Sequence, residues 1–336
     1  MDVADLAQRY LDGMSLQSNV VAGLLAKAGT TGAALAPFLE HRTWAPGDVL
    51  IEQGSRPEHV LLVLKGTVTA EGIARSEFSG RASEAVELNQ LGRYDVLGEV
   101  SMITRQPAIA TLTAEKAVEA LALSHASFSR LMKASPLTSV AFFRYFAENI
   151  VEKIRTTQGI DRAEPPLSEI VTPVRPGLPG EDVEARLLEV PAVGWSEAEA
   201  RSGVAELFTP HRARAGDVLV GAGESADALY VLVSGTARRG EHALTGGDRA
   251  PENVLVGEMS FLRGHRREAD VVAVTDCTLL ALAAGAEAEL AERSPGFCGR
   301  LHLALLRAVC ARLTETSEES ARSLATQGGD WEQWFV

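Results

Sequence analysis

Two short stretches hold the residues with which this chain could do chemistry. Leu97-Gly98-Glu99-Val100-Ser101 and Val256-Gly257-Glu258-Met259-Ser260 each place a Gly-Glu pair after an irregular loop, ahead of a short helical turn and a further strand. Such a corner can hold an anion, because N–H groups at a helix start point outward and glycine lets a backbone come close. A carboxylate just inside the turn, Glu99 or Glu258, can accept hydrogen bonds from a sugar hydroxyl. An arginine a few residues on, such as Arg267, can form a charge-assisted pair with phosphate. Arg263, His265, Arg266 and Arg267 stand together in the second stretch, where a solvated loop is the plain alternative.

These stretches belong to a longer repetition. Pro46-Gly47-Asp48-Val49-Leu50 returns 169 positions later as Ala215-Gly216-Asp217-Val218-Leu219. At the same offset Gly54 matches Gly223, and Leu64-Lys65-Gly66-Thr67 matches Val233-Ser234-Gly235-Thr236. The Gly-Glu stretches, and Ser135-Pro136 with Ser294-Pro295, follow at an offset of 159. Ordered anchors with a single indel imply two copies of one domain.

The chain has 336 residues, 46% of them hydrophobic, which is room for two ordinary domains with their own cores. Its formal charge of −13, with no long basic run, argues against nucleic acid as a partner. No apolar run approaches the roughly 20 residues needed to span a bilayer, and no secretory signal pattern opens the chain. Cys277, Cys298 and Cys310 lack metal-ligand spacing. The expectation is a reduced, cytoplasmic protein without membrane contact.

Val3, Leu6, Tyr10, Leu11 and Met14 recur at helical spacing, and Ser15 is placed to cap a second helix with Val20, Val21, Leu24 and Leu25. Short β-rich runs follow from about residue 43, including Val49–Ile51, Val60–Leu64, Thr67–Thr69, Ala110–Thr113 and Val118–Leu123. Helical period returns at 126–132 and from Thr138, with Phe142, Phe143, Phe146, Ile150 and Ile154 on one side. Pro165, Pro166, Pro173, Pro176 and Pro179 mark a linker. The second copy repeats the order, closing on a helix with Leu301, Leu305, Leu306, Val309 and Leu313 before the chain turns polar. The expected divisions are N-terminal helices at 1–32, a domain at 33–157, a linker at 158–204, a second domain at 205–320 and a tail at 321–336. Trp331, Trp334 and Phe335 in that tail pack on the second domain, cover a ligand base, or dock a partner.

With these anchors in place, the chain resembles the cyclic-nucleotide-binding domain family over roughly 43–157 and 205–315. The resemblance implies an α+β fold of two tandem β-barrel or jelly-roll domains, each flanked by helices. It identifies Gly98-Glu99 and Gly257-Glu258 as phosphate-binding cassettes. Such cassettes run Gly-Glu, eight residues, Arg, two residues, then Thr or Ser. The first copy has Thr111 at the hydroxyl position but Ala108 at the arginine position. The missing contact forfeits about 1.5–3 kcal/mol, on the order of 10- to 150-fold in affinity. Gly98, Glu99 and Thr111 are therefore expected to form a degenerate site. The second copy has Gly257, Glu258 and Arg267, with Asp270 at the hydroxyl position. A carboxylate about 4 Å from a phosphate repels it by about 4 kcal/mol at an effective dielectric near 20. Asp270 then points away, pairs with Arg267 to plug the pocket, or accepts hydrogen bonds from ligand hydroxyls or amines.

Too little chain follows Leu313 for the helix-turn-helix that bacterial transcription factors of this family carry, and residues 1–42 lack the basic inhibitor stretch of kinase regulatory subunits. His59, His125, His211, His242, His265 and His302 are scattered, and neither His-Glu-x-x-His nor Gly-x-Ser-x-Gly occurs. The expectation is a regulatory protein, not an enzyme, without a cofactor. It would couple a cyclic nucleotide in the second domain to a protein partner, and could pair as a homodimer through its apolar terminal helices. The rival is a ligand-free scaffold with two relic pockets.

Overall fold

The computed structural model describes residues 2–72, 85–159, 175–176, 182–196, 199 and 203–327. Most of the expected linker, and Trp331, Trp334 and Phe335, lie outside the described residues. By contacts the chain divides into two units. The first comprises Met1–Thr138, Glu152–Asp161 and Cys310–Val336, and the second Ser139–Val151 and Arg162–Val309.

Each unit contains a barrel of two antiparallel sheets with one topology, the α+β arrangement of tandem domains that the repeated anchors imply. In the first, Leu39–Trp44, Val118–Ser124, His59–Lys65 and Val96–Leu97 form one sheet in that order, and Val49–Ile51, Thr111–Ala114, Val68–Gly72 and Val86–Leu91 the other. The second barrel repeats both orders, with Phe208–Ala213, Cys277–Ala283, Ala228–Ser234 and Leu255–Val256 in one sheet, to which Arg175–Pro176 of the expected linker adds a fifth strand beside Phe208–Ala213. Its other sheet runs Val218–Val220, Val271–Ala273, Thr236–Arg239 and His242–Thr245. Irregularities recur in register as well: the ladder shifts between Val49 and Ile51 and again between Val218 and Val220. Bulges at equivalent places bend both barrels alike.

Backbone geometry explains why the glycine anchors repeat. Gly66 and Gly235 both have positive φ, and a Cβ there would meet Ala117 O at 2.6 Å and Asp276 O at 2.3 Å. Only glycine fits such a turn. Inside the barrels, small and branched side chains fill the space: Val63, Val68, Leu97, Val118 and Ala120 in the first, Leu232, Ala237, Leu244, Val271 and Leu279 in the second.

The N-terminal helices Val3–Gln17 and Asn19–Ala28 belong to the first unit, where Tyr10 donates its hydroxyl to Tyr94 O at 3.1 Å. Ser18, not Ser15, caps the second of them, accepting from Val21 N, because Ser15 is still inside the preceding helix. Ser135 caps the helix Pro136–Thr157, whose proline needs no N–H in the first turn. Phe142, Phe143, Phe146, Ile150 and Ile154 are all buried. The last helix runs from Pro295 to Gln327, well past the polar switch after Leu313. Thr316 and Ser317 there are buried, so small polar groups serve as packing residues. Among the described residues, no single helix is long and apolar enough to cross a membrane.

Candidate functional site

In both copies the strand ends at a left-handed glycine, and a six-residue helix follows: Gly98 before Glu99–Thr104, Gly257 before Glu258–Arg263. Glu99 and Glu258 are 2% and 3% exposed, buried at the first helical position. The loop facing each helix is fastened by one pair of backbone bonds. Ala108 accepts from Gly54 N and donates to Ser55 O, both at 2.8 Å, while Arg267 accepts from Gly223 N at 2.8 Å and donates to Glu224 O at 2.9 Å. Ala108 and Arg267 are thus the same backbone position with different side chains.

Arg267 is itself 2% exposed. Its guanidinium donates to Gly257 O at 2.9 Å and to Ala228 O, with Asp227 Oδ1 at 3.4 Å. It lies so close over the cassette that a Cβ on Gly257 would sit 2.1 Å from its Nη1. Burial lowers its pKa, against the opposing pull of Asp227, Tyr230 and Glu258. Glu258 faces a second guanidinium, with Arg239 Nη1 3.7 Å from its Oε1. Asp270 turns away from Arg267: its Oδ1 accepts from Ala222 N at 2.7 Å. Thr111 does the same work in the first copy, its hydroxyl accepting from Gln53 N at 3.1 Å. Of the three orientations weighed for Asp270, this one leaves Arg267 to Asp227 and pins the Gly223 turn.

The first cassette meets its cation from another direction. Lys153, near the end of Pro136–Thr157, donates to Glu99 Oε1 at 2.7 Å and to Val96 O. Burial pushes the neighbouring Asp95 carboxyl up, against the pull of Lys153. With Ala108 opposite, the barrel keeps a cavity of about 80 Å³ bounded by Ile51, Leu91, Leu97 and Leu112, and by Leu313 and Ser317 of the last helix.

Within the second unit, Arg144 grips the far end of the Glu258–Arg263 helix. It donates to Leu262 O at 2.5 Å and to Phe261 O at 3.3 Å, the carbonyls a helix end leaves unpaired. The same guanidinium reaches Glu148 Oε1 at 2.6 Å and Glu287 Oε1 at 2.5 Å. Glu287 accepts from His302 Nε2 at 2.8 Å. Burial works against a charge on His302, but Cys298 and Glu287 override it and push its pKa up to about 10. Burial likewise opposes ionisation of Glu287, and His302 and Arg144 reverse it, holding that carboxyl below its ordinary range.

Lys153, Arg239 and Arg144 are absent from the residues read out of sequence. A signal existed for each. Lys153 falls three residues after Ile150 on a buried helix face, Arg239 shares inward parity with Ala237, and Arg144 stands four before Glu148.

Comparison with known proteins agrees with the architecture. The cyclic nucleotide-binding domain model matches residues 41–135 and 210–294, more than half of the chain, and the chain belongs to that family. Among solved structures it is similar to the regulatory domain of Toxoplasma gondii PKA with cAMP, 17% identical over 84% of this chain and 95% of that one, at a TM-score of 0.28. A regulatory subunit of a cAMP-independent protein kinase A from Trypanosoma brucei is 16% identical over 93% of each chain, TM-score 0.28. The family assignment rests on the domain match, not on these superpositions. Among curated proteins, patatin-like phospholipase domain-containing protein 6 of Homo sapiens is 26% identical over 179 residues. That alignment takes in 49% of this chain and 12% of the relative, so the chain spans a small part of its relative's length.

Proposed function

We propose that this chain is a regulatory protein whose second domain takes a cyclic nucleotide and passes its occupancy to a protein partner. One observation carries the reading: Arg239 and Arg267 both approach the second cassette, around the buried carboxylate of Glu258. Asp227 adds little, because its side chain is 71% exposed and screened by water. A cyclic phosphate brings negative charge to these two guanidiniums. It exchanges the neutral Gly257 and Ala228 carbonyls at Arg267 for charged oxygens, and hydrogen bonds to charged groups contribute about 1.5–3 kcal/mol against about 0.5–1.5 for neutral ones.

A ligand that moves the Glu258–Arg263 helix alters the carbonyls that Arg144 holds, and a shift between two helix positions then changes what the partner meets. The net charge of −13 favours a protein partner over nucleic acid. Titration calorimetry of the chain with cyclic AMP, cyclic GMP and a cyclic dinucleotide tests the reading. Binding that weakens about 10- to 150-fold in Arg267→Ala is the expected result; no heat with any of the three overturns it. The scaffold reading then takes over, favoured by one fact: the Arg267 donors already have acceptors in their own barrel.

A further inference from the structure

Two differences between the copies empty the first barrel. Ala70 stands where the second copy has Arg239, and Ala108 where it has Arg267; both alanines line the 80 Å³ cavity. The space two guanidiniums take up in one barrel is open in the other. Its walls are Ile51, Leu91, Leu97 and Leu112, with Asn89, Ser101 and Thr157 as polar lining residues. The volume is several times the roughly 10–15 Å³ that one water needs, and apolar walls of this kind do not hold water well.

The charged lining residues determine what can enter. Glu99 and Lys153 are each more than nine-tenths buried and are paired at 2.7 Å, so together they present no net charge. An anion entering here meets the Glu99 carboxylate, and the Lys153 ammonium is already paired with that carboxylate at 2.7 Å. A cation meets Lys153. From this we infer that the first barrel binds a small uncharged molecule with an apolar body and one hydroxyl, not a cyclic phosphate. The apolar body fills the space beside Ala70 and Ala108, and the hydroxyl faces Asn89, Ser101 or Thr157. Occupancy there touches Leu313 and Ser317, and so is felt by the last helix.

The test uses 4-methylphenol and 1-hexanol as uncharged probes, with benzoate and cyclic AMP as anionic controls, on the full chain carrying labelled isoleucine methyl groups. Saturable shifts at Ile51 and Ile109 with an uncharged probe, unchanged in Arg267→Ala, are expected. Ala108→Leu and Ala70→Leu should each weaken that binding about tenfold or more, as one added methylene does in a tight pocket. The wild-type titration stands even where a filling variant fails to fold. Shifts at these methyls only with benzoate or cyclic AMP overturn the inference, and so does the absence of saturable shifts with both uncharged probes.

Discussion

In the first barrel the buried carboxylate of the cassette is met by Lys153, which reaches it from the end of a helix 54 residues further along the chain. In the second it is met by Arg239, which comes from a strand of the barrel itself. The two cassettes share the glycine turn and its short helix, and differ in the element that brings the cation. Glycines with positive φ, matched bulges and the paired backbone bonds at Ala108 and Arg267 fix the cassette in both places. What each cassette encloses is then set by a few side chains, so one copy is filled with guanidiniums and the other is left hollow.

The sharpest way to break this comparison is to remove the cation on each side. Arg144→Ala takes from the buried Glu148 and Glu287 the cation they share, and loss of one member of a buried pair costs about 3–5 kcal/mol. Urea unfolding should register a loss of that size, the largest of this set. Lys153→Met should follow at about 3 kcal/mol, because Glu99 loses the cation paired with it at 2.7 Å. The double variant with Glu99→Gln should recover most of that loss. Arg239→Met should cost less than Lys153→Met: its pair is longer, at 3.7 Å against 2.7 Å, and Arg267 stays near Glu258. Equal losses would mean the two carboxylates are held alike, and the contrast between the copies fails.

Protonation offers a second handle on the Arg144 side. His302 is pushed up to about 10 in the folded chain, against an ordinary value near 6.5. The stability from its charged form is fully present below about 6.5 and is lost as pH rises through about 10. The depressed Glu287 works in the opposite direction, its contribution present above about 4.5 and lost as pH falls through its lowered pKa. The wild type should therefore lose stability between about pH 6.5 and 10, and His302→Gln should flatten that slope. An unchanged slope would remove the charged imidazole from the account.

The residues themselves disclose the fold because its anchors are backbone requirements. A left-handed turn at Gly66 or Gly235 admits no other residue, so it shows as a repeated letter. Strands such as His59–Lys65 and Cys277–Ala283 show as apolar runs because both are buried at most positions. Short partners such as Val96–Leu97 carry no period long enough to read. The contrast between Ala108 and Arg267 is also legible, since both fall at a fixed distance from a Gly-Glu pair. Lys153 and Arg239 are hidden for the opposite reason: their partners Glu99 and Glu258 lie far along the chain, and a long basic side chain in sequence looks like a solvated one. Arg144 shows its pairing with Glu148 in the sequence but not that with Glu287. The helix Pro295–Gln327 outruns its apolar stripe because burial of Thr316 and Ser317 sustains it, which composition alone does not signal.

Asp270 gives the finest test of how far the copies are equivalent. A charge argument from sequence sets it against phosphate, yet its Oδ1 is occupied by Ala222 N at 2.7 Å, as Thr111 is by Gln53 N at 3.1 Å. If the two residues do one job, Asp270→Thr should leave stability within about 0.5 kcal/mol of wild type, the scatter of an ordinary substitution. Asp270→Ala and Thr111→Ala should each cost about 0.5–1.5 kcal/mol, the worth of one hydrogen bond, with the aspartate at the upper end for its charge. Calorimetric unfolding of the three variants separates the cases. A clear loss in Asp270→Thr would mean the carboxylate does something the hydroxyl cannot, and ligand titrations of that variant would then be the place to look for it.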